Sequence, residues 1–199
     1  MKAMALALLV PVALCSSAII HGGESSGAAV PAPANASANR PSNAAPATPR
    51  TSAKASLTSA PGSAVKGDLT LASEGTAVTI RGEITGLSPG KEHGFHIHET
   101  GQCTAPDFKS AGEHLNPTKD PHGGPESDAR HLGDIPNLKA DASGRASVDI
   151  SVTGATLQDK DGGPNQILGK ALVVHAMPDD YKTPPSGGSG DRIACGVIR

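Results

Sequence analysis

The chain has no tryptophan, one tyrosine and two phenylalanines among its 199 residues. Its apolar core must therefore be assembled from Val, Ile, Leu and Ala, a supply that favours a small, strand-rich domain. Charge of one sign is also missing: 17 Lys and Arg stand against 19 Asp and Glu, a formal net charge of −2. No basic stripe of the kind that tracks a phosphate backbone is present, so nucleic acid is excluded as a partner. No apolar run reaches the roughly 20 residues of a membrane-spanning helix, and no window carries a helical apolar stripe. Cysteine is scarce, at three residues.

What is abundant is glycine (24), proline (17) and histidine (8). Gly and Pro imply many turns and at least one stretch without regular structure. The histidines are concentrated: all but His21 fall between His93 and His175.

The chain divides by texture. Met1-Lys2 is a short positive start, Ala3 to Leu14 an apolar run too short to span a bilayer, and Ser16-Ser17-Ala18 an A-x-A-like cleavage site. Residues 1–18 read as an export signal, with the bacterial periplasm as the expected destination. Cys15 offers an alternative, lipidation as a lipoprotein, although Leu14 stands where that motif wants Gly, Ala or Ser. Residues 19–51, dominated by Ala, Pro, Ser, Asn, Thr and Gly, show no period of 2 or 3.6. Such a segment cannot bury enough apolar surface to offset its ordering entropy, and reads as a tether. Setting Cys15 aside leaves Cys103 and Cys195, one pair without remainder. An oxidising compartment would let them bridge, closing a loop worth about 4–5 kcal/mol by chain entropy; two unrelated buried thiols are the alternative.

Residues 52–199 read as one domain. Val65, Leu69 and Leu71 open an alternating stretch ending near Ser73-Glu74-Gly75, and Ala77 to Ile84 alternates again. Gly86 to Gly90 is a turn, and His93 to His98 another strand. Ala146 to Val152, Lys170 to His175 and Ile193 to Ile198 complete the set. Short alternating strands with Gly-, Pro- and Asn-rich connections predict an all-β fold, a Greek-key antiparallel β-sandwich or flattened barrel. Two long connections, 101–140 and 176–191, are rich in Pro or Gly and poor in apolar alternation; loops of this length in a compact domain are functional or disordered.

Chemistry concentrates at His96-Ile97-His98. Side chains alternate along a strand, so both imidazoles project from one face. His175 ends an apolar strand, and His114, His122, His131 and Asp134 lie in the first long loop. A mixed set of imidazoles and a carboxylate suits Zn²⁺; an all-imidazole set suits copper.

Five segments carry a resemblance: His93-Gly94-Phe95-His96-Ile97-His98-Glu99, Ser110 to Pro117, Arg130-His131-Leu132-Gly133-Asp134, Gly169 to His175 and Gly190 to Ile198. They resemble the copper–zinc superoxide dismutases, and the Asp179-Asp180-Tyr181-Lys182-Thr183 stretch is most similar to the exported bacterial members. The resemblance implies one copper on His96, His98, His114 and His175, and one zinc on His114, His122, His131 and Asp134, with His114 bridging. It implies that His93 orients the site, that Asp179 links a copper histidine to a zinc histidine, and that Arg192 beside the copper attracts the anion. It pairs Cys103 with Cys195 as a disulfide. The activity implied is dismutation of superoxide to O2 and hydrogen peroxide through a Cu²⁺/Cu⁺ cycle with a structural zinc, with His114 and Arg192 in the catalytic roles. The protein would act as a monomer or homodimer without a transmembrane span in its mature form. Lys182 is a weaker candidate for drawing in the substrate. Glu113 and Leu115 depart from the family pattern, Glu113 by adding negative charge beside the bridging position. A metal-carrying module without turnover is the competing reading, and a sandwich with incidental histidines a third.

The export reading predicts cleavage between Ala18 and Ile19. Mass spectrometry of the exported protein should give a chain beginning at Ile19; a chain that retains residues 1–18 contradicts it.

Overall fold

The computed structural model describes residues 51–157 and 163–199. The export signal and, apart from Thr51, the tether lie outside the described residues. Among the described residues nine strands follow in order: β1 (Ser52–Ser59), β2 (Lys66–Glu74), β3 (Ala77–Thr85), β4 (Glu92–His93), β5 (Phe95–His98), β6 (Leu138–Lys139), β7 (Ala146–Thr153), β8 (Ala171–His175) and β9 (Arg192–Val197). Among the described residues the one helical element is a single 3₁₀ turn, Lys109–Ala111.

Seven strands form an antiparallel sheet in the order β5-β8-β9-β1-β2-β3-β7, and β4 pairs with β6 alone. β1, β2 and β3 are joined by short turns and pair consecutively, from Ser52 opposite Ala72 to Glu74 opposite Ala77. The chain then crosses over, so that β7 lies beside β3 and β8 between β5 and β9. These crossovers give the Greek-key order. Strand β1 belongs to both halves: its early residues pair with β2 and its last two, Thr58 and Ser59, with β9.

The inward residues of the two halves make one core. Leu69, Leu71, Val78, Ile80, Ile84, Val148 and Val152 come from the β1-β2-β3-β7 half, and Phe95, Ile97, Leu172, Val174 and Ala194 from the other. On the first half the opposite face is wet, and Arg81 there sits 3.0 Å from both Glu74 and Asp149. Exposed pairs of this kind add little stability.

The second half differs, because β5 and β8 are buried on both faces. Ala171, Val173 and Cys195 turn away from the core and pack under Phe108 and Ala111 of the first long loop. The Cys103–Cys195 disulfide fastens that loop to β9, 92 residues apart in the chain. The same outer side of β5 carries His96 and His98, both fully buried.

Two elements differ from the pattern read in the sequence. The segment from His93 to His98 is two strands, broken at Gly94, whose N–H donates to Met177 O at 2.8 Å and so leaves the ladder. Strand β1 has a strict alternation, Ala53, Ala55 and Leu57 inward, but alanine is too weak an apolar marker to announce it before the fold is known.

Candidate metal centre

The backbone delivers the histidines from separate segments to one place. The long loop runs alongside β5: Leu115 N–H donates to Ile97 O at 2.8 Å, Gly133 N–H to Leu115 O at 2.9 Å, and Ile97 N–H to Gly133 O at 3.0 Å. These bonds set His114 opposite His98 and Asp134 opposite His96 as isolated bridges. The approach at Gly133 requires glycine, because a Cβ there would lie 2.8 Å from Leu115 N. On the other flank, β8 ends at His175, next to β5.

Two donor sets result. His96, His98, His114 and His175 form one; His114, His122, His131 and Asp134 form the other. Within each set the donor atoms lie within 4.8 Å of one another, close to the roughly 4 Å spanned by two nitrogens on opposite sides of one ion. His114 is common to both.

The hydrogen bonds identify which ring nitrogen is free. His98 Nδ1 donates to Gly112 O at 2.9 Å and His175 Nδ1 to Gly190 O at 3.2 Å. His96 Nε2 donates to Asp179 Oδ2 at 2.8 Å, and His122 Nε2 to Asp179 Oδ1 at 3.0 Å. A neutral imidazole has one N–H, so the remaining nitrogens present lone pairs. His98 Nε2 and His175 Nε2 face each other at 3.4 Å, an arrangement of two lone pairs that a cation between them would stabilise. His96 Nδ1 and His114 Nε2 are buried without any hydrogen-bond partner. His122 Nδ1 lies 3.1 Å from Asp134 Oδ2 but out of hydrogen-bonding alignment. Buried polar atoms left unpaired cost free energy, so copper and zinc fit the residues present.

Burial keeps the rings of His96, His98 and His175 neutral. It pushes the pKa of His96 and of His98 far below the ordinary imidazole value, helped by the neighbouring His114. It pushes that of His175 down to about 4. Asp134 is pushed up by burial, yet the His114 donor at 2.7 Å and Gly123 N–H at 3.0 Å outweigh that and hold it below the usual carboxylate value. His131 Nδ1 approaches the same Asp134 Oδ1 at 3.1 Å. His93 reaches no donor set; its Nδ1 donates to His175 O at 2.9 Å and its Nε2 accepts from Ser88 N–H at 3.3 Å.

Arg192 is aimed by a bulge. The β8–β9 register runs Val174 to Ala194 and then His175 to Arg192, skipping Ile193. The extra residue turns Arg192 to lie opposite His175. Its Nη1 donates to Phe108 O at 2.9 Å, on the disulfide-tethered loop. Arg192, Glu113, Asp107, Lys109 and Asp191 share the lining of a cavity of about 920 Å³. Burial lowers the Arg192 pKa, and the Glu113 and Asp107 carboxylates oppose that. Leu115 lies instead in the main core.

Six imidazoles and a carboxylate, grouped as two adjoining donor sets on a Greek-key barrel, define a binuclear metalloprotein of copper and zinc chemistry. The profile of the family described as copper/zinc superoxide dismutase (SODC) matches residues 65–198, and the chain belongs to that family. It is 45% identical over 127 residues to a Cu-Zn superoxide dismutase of Aquifex aeolicus, covering 62% of this chain and 74% of that one. It is 40% identical over 143 residues to the extracellular Cu-Zn superoxide dismutase of Brugia pahangi, covering 67% and 69%. The crystal structure of an SOD-like protein from Bacillus subtilis superimposes with a TM-score of 0.65 at 38% identity, covering 73% of this chain and 97% of that one.

The depressed imidazole pKa values give the metal-free protein a defined acid sensitivity. Between pH 6.5 and about 4 the unfolded chain takes up a proton at His175 that the folded chain refuses. Stability should therefore fall as pH drops through that window, by about 3 kcal/mol for this ring alone, with His96 and His98 acting in the same direction. Urea unfolding of the metal-free protein at pH 7 and pH 4.5 checks this; equal midpoints would contradict it.

Proposed function

We propose that His96, His98, His114 and His175 hold copper, that His114, His122, His131 and Asp134 hold zinc, and that His114 bridges them in a superoxide dismutase. The observation that carries this reading is the shared ring: His114 directs Nδ1 toward Asp134 and leaves Nε2 buried and unpartnered. Bound copper supplies a one-electron couple, Cu²⁺/Cu⁺, so that one superoxide is oxidised to O2 and the next, with two protons, is reduced to hydrogen peroxide, while zinc supplies a redox-silent charge.

The chain's own residues do the rest. Arg192, held by Phe108 O and opposite His175 in the strand register, presents a positive charge beside the donor set and draws the anion in. Lys109, which lines the same cavity as Arg192, is paired with Asp107 at 3.0 Å, so it adds no net charge; Lys182 does not line the cavity. His114 would pass a proton to the nascent peroxide through Nε2, the nitrogen without a hydrogen-bond partner. Asp179 accepts from both His96 and His122 and fixes the tautomer of each. The backbone carbonyls of Gly112 and Gly190 do the same for His98 and His175. His93 ties the strand end that carries His175 to the turn at Ser88.

The enzyme unit is residues 52–199, carried on the 19–51 tether after removal of residues 1–18. Export to an oxidising compartment, the periplasm of a bacterium, is supported by the Cys103–Cys195 disulfide. No helix among the described residues is long and apolar enough to cross a membrane. A lipid anchor at Cys15 is the alternative mode of attachment, and the active form is a monomer or homodimer.

Mature protein should bind one copper and one zinc per chain and suppress superoxide-driven cytochrome reduction; full metal loading without that activity would contradict the reading. Arg192→Ala should lower kcat/KM about tenfold or more and flatten its ionic-strength dependence, with metal content unchanged. Glu113→Gln should raise kcat/KM at low salt by about twofold, by removing one opposing charge from the cavity. An unchanged salt profile in both variants would rule out steering by this cavity.

A further inference from the structure

Asp179 can orient two metal histidines only if it is itself held, and it sits in a long loop without regular structure. What holds it is Asn137. The Asn137 side chain clasps the Asp179 backbone on both sides: Oδ1 accepts from Asp179 N–H at 2.9 Å, and Nδ2 donates to Asp179 O at 2.9 Å. Asn137 adjoins β6, which is paired with β4, so the clasp is fixed to the β4–β6 ribbon rather than to another loop.

Tyr181 completes the arrangement. Its N–H donates to Asp179 Oδ1 at 2.6 Å, the oxygen that also accepts from His122. Its phenol oxygen accepts from Asn137 N–H at 2.9 Å. The backbone at Tyr181 is left-handed, φ 61°, a conformation that costs a bulky residue free energy and persists only where its surroundings hold it. The Tyr181 side chain lies against Gly124, two residues beyond His122, where a Cβ would come within 3.0 Å of Tyr181 Cβ and Cγ. Gly187 closes the other side at φ 63°, with room for no side chain against Asp179 and His122.

We propose that Asn137 and Tyr181 form a latch that positions Asp179, and through it sets the orientation of His96 in one donor set and His122 in the other. Three separate segments meet in this latch: the β4–β6 ribbon at residue 137, the 176–191 loop at residues 179–187 and the zinc-side loop at residues 122–124. The inference rests on the metal assignment above, and it makes the two sites energetically dependent on a residue that ligates neither ion.

The test uses the full mature chain loaded with copper and zinc. Zinc affinity is measured by chelator competition, and the copper environment by the Cu²⁺ electron paramagnetic resonance spectrum. Asn137→Ala should weaken zinc binding about 10- to 100-fold, the usual range for loss of an outer partner, and should shift the copper spectrum although no ligand has changed. Tyr181→Phe, which keeps the ring against Gly124, should move both readouts in the same direction by a smaller amount and serves where Asn137→Ala does not fold. Val148→Ala, in the core remote from the latch, should lower the melting temperature while leaving both readouts unchanged. Wild-type zinc affinity and copper spectra in both latch variants would overturn the latch, as would matching losses in Val148→Ala. Failure of the wild-type chain to take up zinc would instead overturn the metal assignment, and the latch with it.

Discussion

Two imidazole nitrogens with their lone pairs directed at each other across 3.4 Å, on two buried rings, are the constraint on which this structure turns. The Gly112 and Gly190 carbonyls take the N–H of each ring and force that orientation. With His96 Nδ1 and His114 Nε2 also buried and unpartnered, the site concentrates unmet acceptors where an ordinary core would place methyl groups. Unpaired polar atoms in a low-dielectric interior are costly. The arrangement becomes favourable once cations are bound, and metal binding then contributes directly to the stability of the fold.

The barrel supplies the rigidity for this. Sheets that are wet on one face show a clean inward–outward alternation, as β7 does here. β5 and β8 are buried on both faces, because the loops fold back over the outer side and are held there by backbone hydrogen bonds to β5, by the disulfide and by the small core under Phe108. The same loop then anchors Arg192 through Phe108 O. One covered sheet face thus carries both donor sets on strand and loop together, with Arg192 beside them.

How much of this could be read beforehand followed from the range of the interactions involved. Strands β2, β3 and β7 were legible because period-2 alternation is local. The break at Gly94 was not, because its cause is a hydrogen bond to Met177, more than 80 residues away in the chain. The common face of His96 and His98 followed from strand geometry alone, and the concentration of histidines in the 101–140 loop indicated that the loop had a metal to organise around. Spacing could not say which nitrogen each ring would offer, since that is decided by carbonyls at residues 112 and 190 and by the Asp179 carboxylate. Nor could it tell that Glu113 lines the same cavity as Arg192 while Leu115 turns into the core. Asn137 gave no signal at all: an amide next to a proline in a loop has no marked chemistry until the backbone of Asp179 is brought against it.

The account stands on the ring of His114 serving both donor sets. Anomalous diffraction from metal-loaded crystals, with data collected on either side of the copper and zinc absorption edges, tests this most directly. The account predicts copper against Nε2 and zinc against Nδ1 of that one ring. A His114 bound through a single nitrogen at full occupancy of both metals in the oxidised protein, or turned away from His96, His98 and His175, would contradict it.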